Sequence, residues 1–494
     1  MRKRILFPRL LVPGLLLLST MSAAQQYDLV IEGGRVMDPE TGLDAVRNVG
    51  IRDGKVARVA IEPLAAPRII QAAGLVVAPG FIDLHQHGQE IESQRVKAFD
   101  GVTTALEMEI GVPDVAQFLK MKEGRSLIHY GTTASHAAAR ALIFGAPLNP
   151  GAGDPRIGIP EILPKSGPAT NQPATPDQIR RIEQRLRDQI DAGALGVGMG
   201  IAYTPGATRL EIIDMFRVAA ERKLPVYTHV RGAGRTEPDS AVQSFEEVIG
   251  AAAITGAALH VVHLNSTCLA DSLECLALVE GARARGLDVT TEAYPYIAGM
   301  TEINSALFNP GWREKLGIDY GGLVLPDTGE HLTKARFEEL HNSTTPHSVL
   351  VFANTQELVD AVIPNPLVMI ASDGASGHPR NAGTYSRVLA QYVREKKTLT
   401  LMEALRKMTL MPAQMLERST PAAGRKGRLQ EGADADVVVF DPQTIADRST
   451  FQKPMEPSVG VHYLLVAGTV LIDDGKMVEG KFPGQAVLGP GKMH

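Results

Sequence analysis

Alternating apolar and polar residues predict β structure at both ends of the chain. Residues 27–38 alternate around a Gly-Gly pair, and residues 49–59 repeat the pattern around an Asp-Gly pair. Residues 433–441 and 461–476 alternate in the same way. A period of two that is interrupted by Gly-Gly or Asp-Gly is typical of β-hairpins. We therefore predict that the two ends meet in one small β-sandwich.

Between these ends, strand-like runs alternate with amphipathic helical runs. Three units of a helix followed by a strand occupy residues 175–199, 244–263 and 273–294. The first opens with a capping threonine and a first-turn proline, and a glycine ends its helix. Repetition of this unit predicts a parallel sheet, and about eight units close into a barrel. Residues 145–175 and 309–349 break the rhythm, so we expect them to be insertions at the barrel mouth.

The first residues have the pattern of an export signal. Basic residues at positions 2–4 precede the apolar run 10–18, and Ser22-Ala23-Ala24 offers small side chains for cleavage. Pro13 and Gly14 interrupt the run, which is short for a bilayer span. We predict cleavage after Ala24 and a periplasmic or secreted protein, with a retained membrane anchor as the alternative.

The predicted fold class is α/β: a TIM-like (β/α)8 barrel with a small discontinuous β-sandwich domain formed by both chain ends. The predicted bounds are residues 1–24 for the signal peptide, 25–78 for the first part of the sandwich, 79–425 for the barrel and 426–494 for the second part of the sandwich.

Composition narrows the choice of partners. The 494 residues are 44% hydrophobic and 21% charged, with a net charge of -5. This ordinary globular composition has no basic footprint, so no nucleic acid partner is predicted. Beyond the signal, no segment is apolar over the length of a membrane span. A homo-oligomer is compatible with this composition.

The chain has two cysteines, Cys268 and Cys275, in a segment that is predicted to be helical. Residues two helical turns apart lie too far from each other for a disulfide. The sequence therefore predicts two buried free thiols.

Candidate chemistry lies where the predicted strands end. His85 and His87 share one face of an extended segment and could hold a metal together. His229 and His263 each end a strand, and Asp373 follows another apolar run. Taken singly, such a histidine is more often scaffold and an Asp-Gly is more often a turn. Because barrels place their active sites at the carboxyl ends of strands, the four endings together predict a metal site.

This order of strand-end ligands resembles the amidohydrolase superfamily. A narrower resemblance, to the D-aminoacylase family of N-acyl-D-amino-acid deacylases, covers nearly the whole mature chain. The motifs that carry it are Gly101-Val-Thr-Thr104, residues 198–206, Tyr294-Pro-Tyr296, Ser372-Asp-Gly374, His378-Pro-Arg380 and residues 427–436.

The resemblance implies a zinc-dependent hydrolase that holds one or two zinc ions and cleaves the amide bond of N-acyl-D-amino acids. It implies that His229 and His263 hold the tighter metal and that His85 and His87 complete a second or weaker site. Asp373 would be the general base toward metal-activated water.

One departure from the family affects a metal ligand. Where the family usually has Gly-Asn-Cys-Gly, this chain has Met108-Glu109-Ile110-Gly111, and isoleucine cannot bind a metal. A carboxylate from Glu107 or Glu109 could bridge two metals in place of the thiolate. We favour Glu109, with ion pairing of both glutamates as the alternative.

A second departure affects the substrate. Asn265 stands where the family commonly has a lysine, which makes acidic D-amino acids less secure as substrates. Arg231 and Arg380 are candidate carboxylate clamps because a guanidinium suits bidentate recognition. Three more residues are candidates for substrate binding, against packing or turn roles: Tyr294, Tyr296 and His378.

Other functions stay open at this point. One alternative is an amidohydrolase that acts on a dipeptide, a cyclic amide or an acylated xenobiotic. Cyclic-amide enzymes carry a carboxylated bridging lysine after the fourth strand, and Gly196–Ile201 has no lysine. Another alternative is a ligand-binding barrel without catalysis, which the complete set of strand-end residues disfavours.

Overall fold

The computed structural model describes residues 27–148, 154–155, 167–343 and 345–492. The predicted signal peptide and much of the first predicted insertion lie outside these residues. Five strands open the described chain: β1 (Leu29–Asp38), β2 (Leu43–Arg52), β3 (Lys55–Ala60), β4 (Arg68–Gln71) and β5 (Val76–Pro79). β1 pairs antiparallel with β2 and parallel with β4 and β5.

The barrel begins directly after β5. Its first strands are β6 (Phe81–Asp83), β7 (Val102–Ala105), β8 (Glu107–Val112), β9 (Thr132–Ser135), β10 (Val197–Gly200), β11 (Val226–His229), β12 (Leu259–Val261) and β13 (Val289–Ala293). A three-stranded insertion follows, made of β14 (Gly299–Glu302), β15 (Leu323–Val324) and β16 (Ser348–Val351), before the last barrel strand, β17 (Val368–Ile370).

The barrel strands pair in parallel in chain order. β6 pairs with β7, and β8 to β13 and β17 form one seven-stranded sheet. β7 and β8 are separated by Leu106 alone and together make the second barrel position. A parallel bridge between Gln86 and Gly374 joins the last position to the first. The predicted (β/α)8 barrel is therefore confirmed.

Fifteen α-helices occur in the described chain: α1 (Ile91–Phe99), α2 (Val115–Lys122), α3 (His136–Phe144), α4 (Pro168–Asn171), α5 (Pro176–Asp191), α6 (Arg209–Glu221), α7 (Ala241–Thr255), α8 (Leu264–Cys268), α9 (Ser272–Ala284), α10 (Trp312–Leu316), α11 (Lys334–His341), α12 (Gln356–Val362), α13 (Arg380–Arg387), α14 (Leu401–Met408) and α15 (Leu410–Leu416). α5 starts as its sequence predicts, because Thr175 and Gln178 form a reciprocal capping box. In these ranges we find no helix with the length and apolar character that crossing a membrane requires.

The insertion after β13 covers part of the barrel mouth. β16 pairs antiparallel with both β14 and β15. Its own apolar cluster is centred on buried side chains such as Phe308, Trp312 and Phe337. Leu316 of α10 and Ser348 of β16 line the cavity above the barrel. This second predicted insertion therefore contributes to the mouth, as expected.

Both chain ends meet in one nine-stranded sheet. The C-terminal strands are β18 (Val437–Phe440), β19 (Val461–Val466), β20 (Thr469–Asp473) and β21 (Lys476–Met477). β18 pairs antiparallel with β5, giving the order β21-β20-β19-β18-β5-β1-β2-β3 with β4 beside β1. The last described residues return to the barrel, where the Val487 amide donates to the Tyr130 carbonyl at 2.7 Å.

The prediction of two free thiols is wrong, since Cys268 and Cys275 form a disulfide. Seven residues of continuous helix would separate their Cα atoms by about 10.5 Å. The structure instead ends α8 at Cys268, turns at Leu269 with a φ of 50° and starts α9 at Ser272. The break brings the two Cα atoms to 6.6 Å, which a disulfide can span.

Candidate metal centre

Four histidines converge on one carboxylate at the carboxyl end of the barrel. Glu109 Oε1 lies 2.9 Å from His229 Nδ1 and 3.0 Å from His263 Nε2. Glu109 Oε2 lies 3.2 Å from His85 Nε2 and 3.1 Å from His87 Nε2. The structure therefore turns Glu109, and not Glu107, toward all four imidazoles.

A bulge in β8 aims Glu109 into the barrel. The register between β8 and β9 shifts between Glu107 and Val112, so β8 carries extra residues there. Gly111 sits in this bulge with a φ of 69°, and a Cβ at that position would lie 2.5 Å from the Thr133 carbonyl oxygen. Only glycine suits both the left-handed backbone and this close approach.

The spacing of the donor atoms fits a tetrahedral metal. His85 Nε2 and His87 Nε2 lie 3.1 Å apart, and Asp373 Oδ1 lies 3.4 Å and 3.3 Å from them. Zinc bonds of about 2.0–2.1 Å at tetrahedral angles place neighbouring ligand atoms about 3.3 Å apart. On the other side of Glu109, its carboxylate and the nitrogens of His229 and His263 form a second set within 4.8 Å. The donors thus suit one or two divalent metal ions.

The charged groups around Glu109 favour a bound cation. Burial opposes a charge on His85, yet Asp373 and Glu109 raise its pKa to about 10. Burial likewise disfavours the Glu109 anion, but His85 and His229 hold the pKa of that carboxyl well below its usual range. In both cases the opposite charges outweigh desolvation. The buried carboxylates therefore favour a positive charge beside them, and a divalent metal ion can supply that charge.

Further carboxylates orient the metal-facing histidines. His85 Nδ1 lies 2.7 Å from Glu292 Oε1, and the other oxygen of Glu292 lies 3.0 Å from His260 Nε2. His87 Nδ1 lies 2.6 Å from Glu107 Oε2. Such partners fix the tautomer and the ring orientation of a ligand. Sequence reasoning missed Glu292, although a carboxylate two residues before the end of a predicted strand was an available signal.

Glu292→Gln is expected to weaken zinc binding roughly 10- to 100-fold, because an amide cannot accept from both His85 and His260. The measurement is the zinc dissociation constant from competition with a chelator. Glu246→Gln, at an exposed position of α7, is the matched control and should leave the constant unchanged. Wild-type zinc affinity in Glu292→Gln would contradict this role.

Asp373 lies three residues after the end of the last barrel strand and faces the same centre. Its φ of 50° lies in the left-handed region, as does that of His263 at 28°. Non-glycine residues in this region cost about 1–3 kcal/mol and cluster at functional sites. Asp373 Oδ2 forms an ion pair of 2.8 Å with Arg380 Nη1. Burial disfavours the anion, but Arg380 and His85 hold the pKa of Asp373 well below its usual range.

A cavity of about 430 Å³ opens above these ligands, and Tyr294 is the predicted substrate-binding residue that lines it. The Tyr294 hydroxyl is buried and has no hydrogen-bond partner among the described residues. Burial raises the pKa of this phenol to about 12, so the hydroxyl stays protonated. Tyr294 is therefore a hydrogen-bond donor at the cavity wall.

The structure does not bring Arg231 into this cavity. Its guanidinium pairs with Glu247 at 2.8 Å and donates to the carbonyl oxygens of Pro205 and Ala207. Arg231 lines a smaller neighbouring cavity of about 260 Å³ instead.

The remaining predicted substrate residues lie behind the cavity wall. Tyr296 donates to the Pro379 carbonyl at 3.3 Å, and His378 Nε2 lies 2.9 Å from the Ala298 carbonyl. Arg380 is buried against Asp373, with its guanidinium 4.6 Å from the centre of the Tyr294 ring. These contacts hold the cavity wall in place and fix the position of the Asp373 carboxylate.

Asn265 occupies the place of the family's lysine without reaching the cavity. It is fully buried, and its Nδ2 donates to the Tyr294 carbonyl at 3.1 Å. The side chain therefore holds the backbone of a cavity residue and supplies no cation for a substrate carboxylate.

Comparisons with known proteins agree with this geometry. A model of the amidohydrolase family matches residues 169–472. The chain is similar to N-acyl-D-glutamate deacylase of Alcaligenes xylosoxydans xylosoxydans, at 32% identity over 90% of this chain and 93% of that relative. It is 28% identical to D-aminoacylase of the same organism, over 91% of this chain and 95% of the relative.

A solved structure with a similar fold comes from Bordetella bronchiseptica. It is an N-acyl-D-glutamate deacylase in complex with zinc and a phosphonate inhibitor that mimics the tetrahedral intermediate of the reaction. The TM-score is 0.78 at 27% identity, and the match covers 94% of this chain and 100% of that one.

Proposed function

The chain belongs to the amidohydrolase family, as a metal-dependent enzyme that acts on linear amide bonds other than peptide bonds, and from this premise we propose that it hydrolyses N-acyl-D-amino acids with zinc. The observation that carries the proposal is the Glu109 carboxylate between four histidines with Asp373 beside it. The similarity to D-amino-acid deacylases over about nine-tenths of the chain supports the substrate class.

His85, His87, Glu109, His229 and His263 would hold the metal, with Glu109 as the bridge if two ions bind. When bound, zinc polarises the amide carbonyl and lowers the pKa of water to about 7. An amide is a poor electrophile at neutral pH, so the site needs both effects.

Asp373 is the proposed base. Its carboxylate takes a proton from the attacking water as the new C–O bond forms at the amide carbon. The same group then gives this proton to the amide nitrogen as the C–N bond breaks. Bond cleavage leaves a carboxylic acid and an amine. The acid then loses its proton and the amine takes one up, so the products are a carboxylate and a D-amino acid with an ammonium group, and atoms and charges balance. The Arg380 ion pair keeps the carboxylate ionised and oriented between turnovers.

Tyr294 is proposed to position the substrate. Its protonated hydroxyl can donate to an oxygen of the acyl amino acid, which would satisfy a buried group that otherwise has no hydrogen-bond partner among the described residues.

Cyclic-amide enzymes use a carboxylated lysine after the fourth strand as the bridge. Neither β10 (Val197–Gly200) nor Ile201 after it offers a lysine, so Glu109 is the proposed bridging carboxylate.

Paired N-acetyl-D- and N-acetyl-L-amino acids test the proposal on the zinc-loaded protein. We expect hydrolysis of the D series, detected as free amine and identified by chiral chromatography. The L series should react at a small fraction of that rate, because its groups around Cα are mirrored against fixed side chains. Hydrolysis of the L series alone would contradict the substrate class and leave the metal centre intact.

Export to the periplasm is a further part of the proposal. It is supported by the basic and apolar pattern of the first 24 residues and by the disulfide between Cys268 and Cys275, since disulfides persist in oxidising compartments. Mass spectrometry of the protein from a periplasmic extract should give a chain that begins at Gln25. An uncleaved chain in the cytosolic fraction would contradict it.

A further inference from the structure

The main cavity is acidic. Four carboxylates line it, and among the described residues of its wall there is no lysine or arginine. Glu109 and Asp373 belong to the metal centre. The other two, Glu90 and Glu302, have no part in the mechanism above. Burial raises the pKa of Glu302 to about 7, so this carboxyl is only partly ionised near neutral pH.

Glu90 lines the cavity and has a buried carboxylate oxygen that lacks a donor. The residue is 8% exposed, so it is nine-tenths buried. Its Oε1 accepts hydrogen bonds from Ser93 and, at 2.7 Å, from Ser376. Its Oε2 has no hydrogen-bond partner among the described residues. A buried carboxylate oxygen without a donor is costly, and a ligand that brings a donor into the cavity removes the cost.

The nearby lysine does not satisfy Glu90. Lys122 is buried, and its ammonium donates to the Gln89 carbonyl at 2.7 Å. Burial lowers the pKa of Lys122 to about 7, although Glu90 acts in the opposite direction. Near neutral pH this lysine therefore offsets the charge of Glu90 only in part.

Glu302 places a second carboxylate on the same cavity. It ends β14, whose Met300 packs against the loop after Asp373: a Cβ at Gly377 would lie 3.5 Å from Met300 Sδ. Ser376 of that loop binds Glu90. The insertion and the Glu90 segment thus form adjoining parts of one wall.

The cationic side chains of this region line the neighbouring cavity: Arg209, Arg231 and Lys315. It shares Leu307 and Leu316 with the main cavity. Its Arg231 is paired with Glu247, and its Lys315 lies 3.8 Å from Asp239. An acidic substrate group in the main cavity would therefore meet carboxylates, whereas the lysine and arginine side chains line the neighbouring cavity.

We propose that the enzyme selects substrates with an ammonium or guanidinium group beyond the scissile amide, and that Glu90 is the residue that receives this cation, with Glu302 as a second acceptor. This inference rests on the proposed function and specifies its substrate class. A cation on the amino-acid half or on the acyl half would serve the same chemistry, so the experiment contains both.

Four substrates test the proposal on the zinc-loaded enzyme: N-acetyl-D-lysine, N-acetyl-D-norleucine, N-acetyl-D-glutamate and N-(6-aminohexanoyl)-D-norleucine. Norleucine has nearly the same side-chain length as lysine and no charge. We expect kcat/KM for at least one cationic substrate to exceed that of N-acetyl-D-norleucine by about tenfold or more, with the glutamate derivative slowest. Which cationic substrate is favoured identifies the half that faces Glu90.

Glu90→Gln keeps the shape of the side chain and removes its charge. We expect it to lower kcat/KM for the favoured cationic substrate by about tenfold and to leave N-acetyl-D-norleucine within about twofold. Glu92→Gln, at an exposed position of α1, the helix that begins directly after Glu90, is the control and should change neither value. Glu302→Gln should also reduce the preference for the cationic substrate over N-acetyl-D-norleucine. It provides a second variant should Glu90→Gln fail to fold.

Three outcomes would overturn the inference. A wild-type enzyme that prefers N-acetyl-D-norleucine or N-acetyl-D-glutamate contradicts the inference alone. An equal loss on all substrates in Glu90→Gln assigns that residue a structural role and contradicts it too. Hydrolysis of none of the four contradicts the proposed function and the inference with it.

Discussion

Asp373→Asn is expected to lower kcat by about a thousandfold while the zinc content stays at the wild-type level. A general base contributes roughly 10²- to 10⁴-fold, and an asparagine amide cannot accept the proton of the attacking water. The ion pair with Arg380 and the contacts of 3.3–3.4 Å to His87 and His85 show how the carboxylate is fixed at the centre. Single-turnover and steady-state rates with an N-acyl-D-amino acid measure the effect.

Zinc content, determined by elemental analysis, separates the possible causes. Loss of zinc together with activity would make Asp373 a ligand first, because its Oδ1 lies among the donors of His85 and His263. Asp327→Asn, at an exposed position of the insertion, is the matched control and should keep full activity. Wild-type turnover in Asp373→Asn would exclude this residue as the base.

Glu109→Gln is expected to weaken zinc binding by at least about a hundredfold and to abolish hydrolysis at limiting zinc. The carboxylate meets two histidines through each of its oxygens, whereas an amide offers one oxygen and a nitrogen that cannot bind the metal. Loss of a partner that only orients a ligand already costs 10- to 100-fold, so loss of a direct ligand should exceed that range. Chelator competition gives the affinity.

Glu107→Gln is the informative comparison for this variant. Glu107 contacts His87 and accepts from the backbone amides of Ile110 and Gly111, so its loss should affect one ligand and the bulge. We therefore expect the smaller decrease in zinc affinity for Glu107→Gln. The reverse order of the two variants would show that the bridge has been assigned to the wrong glutamate.

The residues that the structure brings together were largely predictable because of topology. His85, His87, His229, His263 and Asp373 follow strands of one parallel barrel, and the carboxyl ends of such strands meet on a single rim. Their types and order therefore indicated a metal site before any distance was known.

Predictions that needed a side-chain direction were less successful. Arg231 lies two residues after the end of β11, yet its side chain turns to Glu247. His378 lies in the loop between β17 and α13, and its side chain turns to the Ala298 carbonyl. Position along a strand gives the end of the barrel at which a residue lies. Whether its side chain enters the cavity depends on partners that are distant in the sequence.

Local departures from regular structure also limited what could be predicted from the sequence. Alternation along β8 places Glu107 and Glu109 on one face, and only the bulge at Gly111 separates their roles. The segment that holds Cys268 and Cys275 was predicted to be helical throughout, and the turn at Leu269 within it is why the disulfide between them was missed.

The sequence by itself determined the barrel, the joining of both chain ends in one sheet and the strand-end histidines and aspartate, because these depend on periodicity and on the order of elements. Only the tertiary structure decided that Glu109 faces four histidines, that Glu292 supports His85, and that Glu90 lines the cavity with one carboxylate oxygen lacking a hydrogen-bond partner among the described residues. These features depend on contacts between residues far apart in the chain. The local sequence around a carboxylate looks the same whether it bridges a metal, orients a metal ligand or binds a substrate.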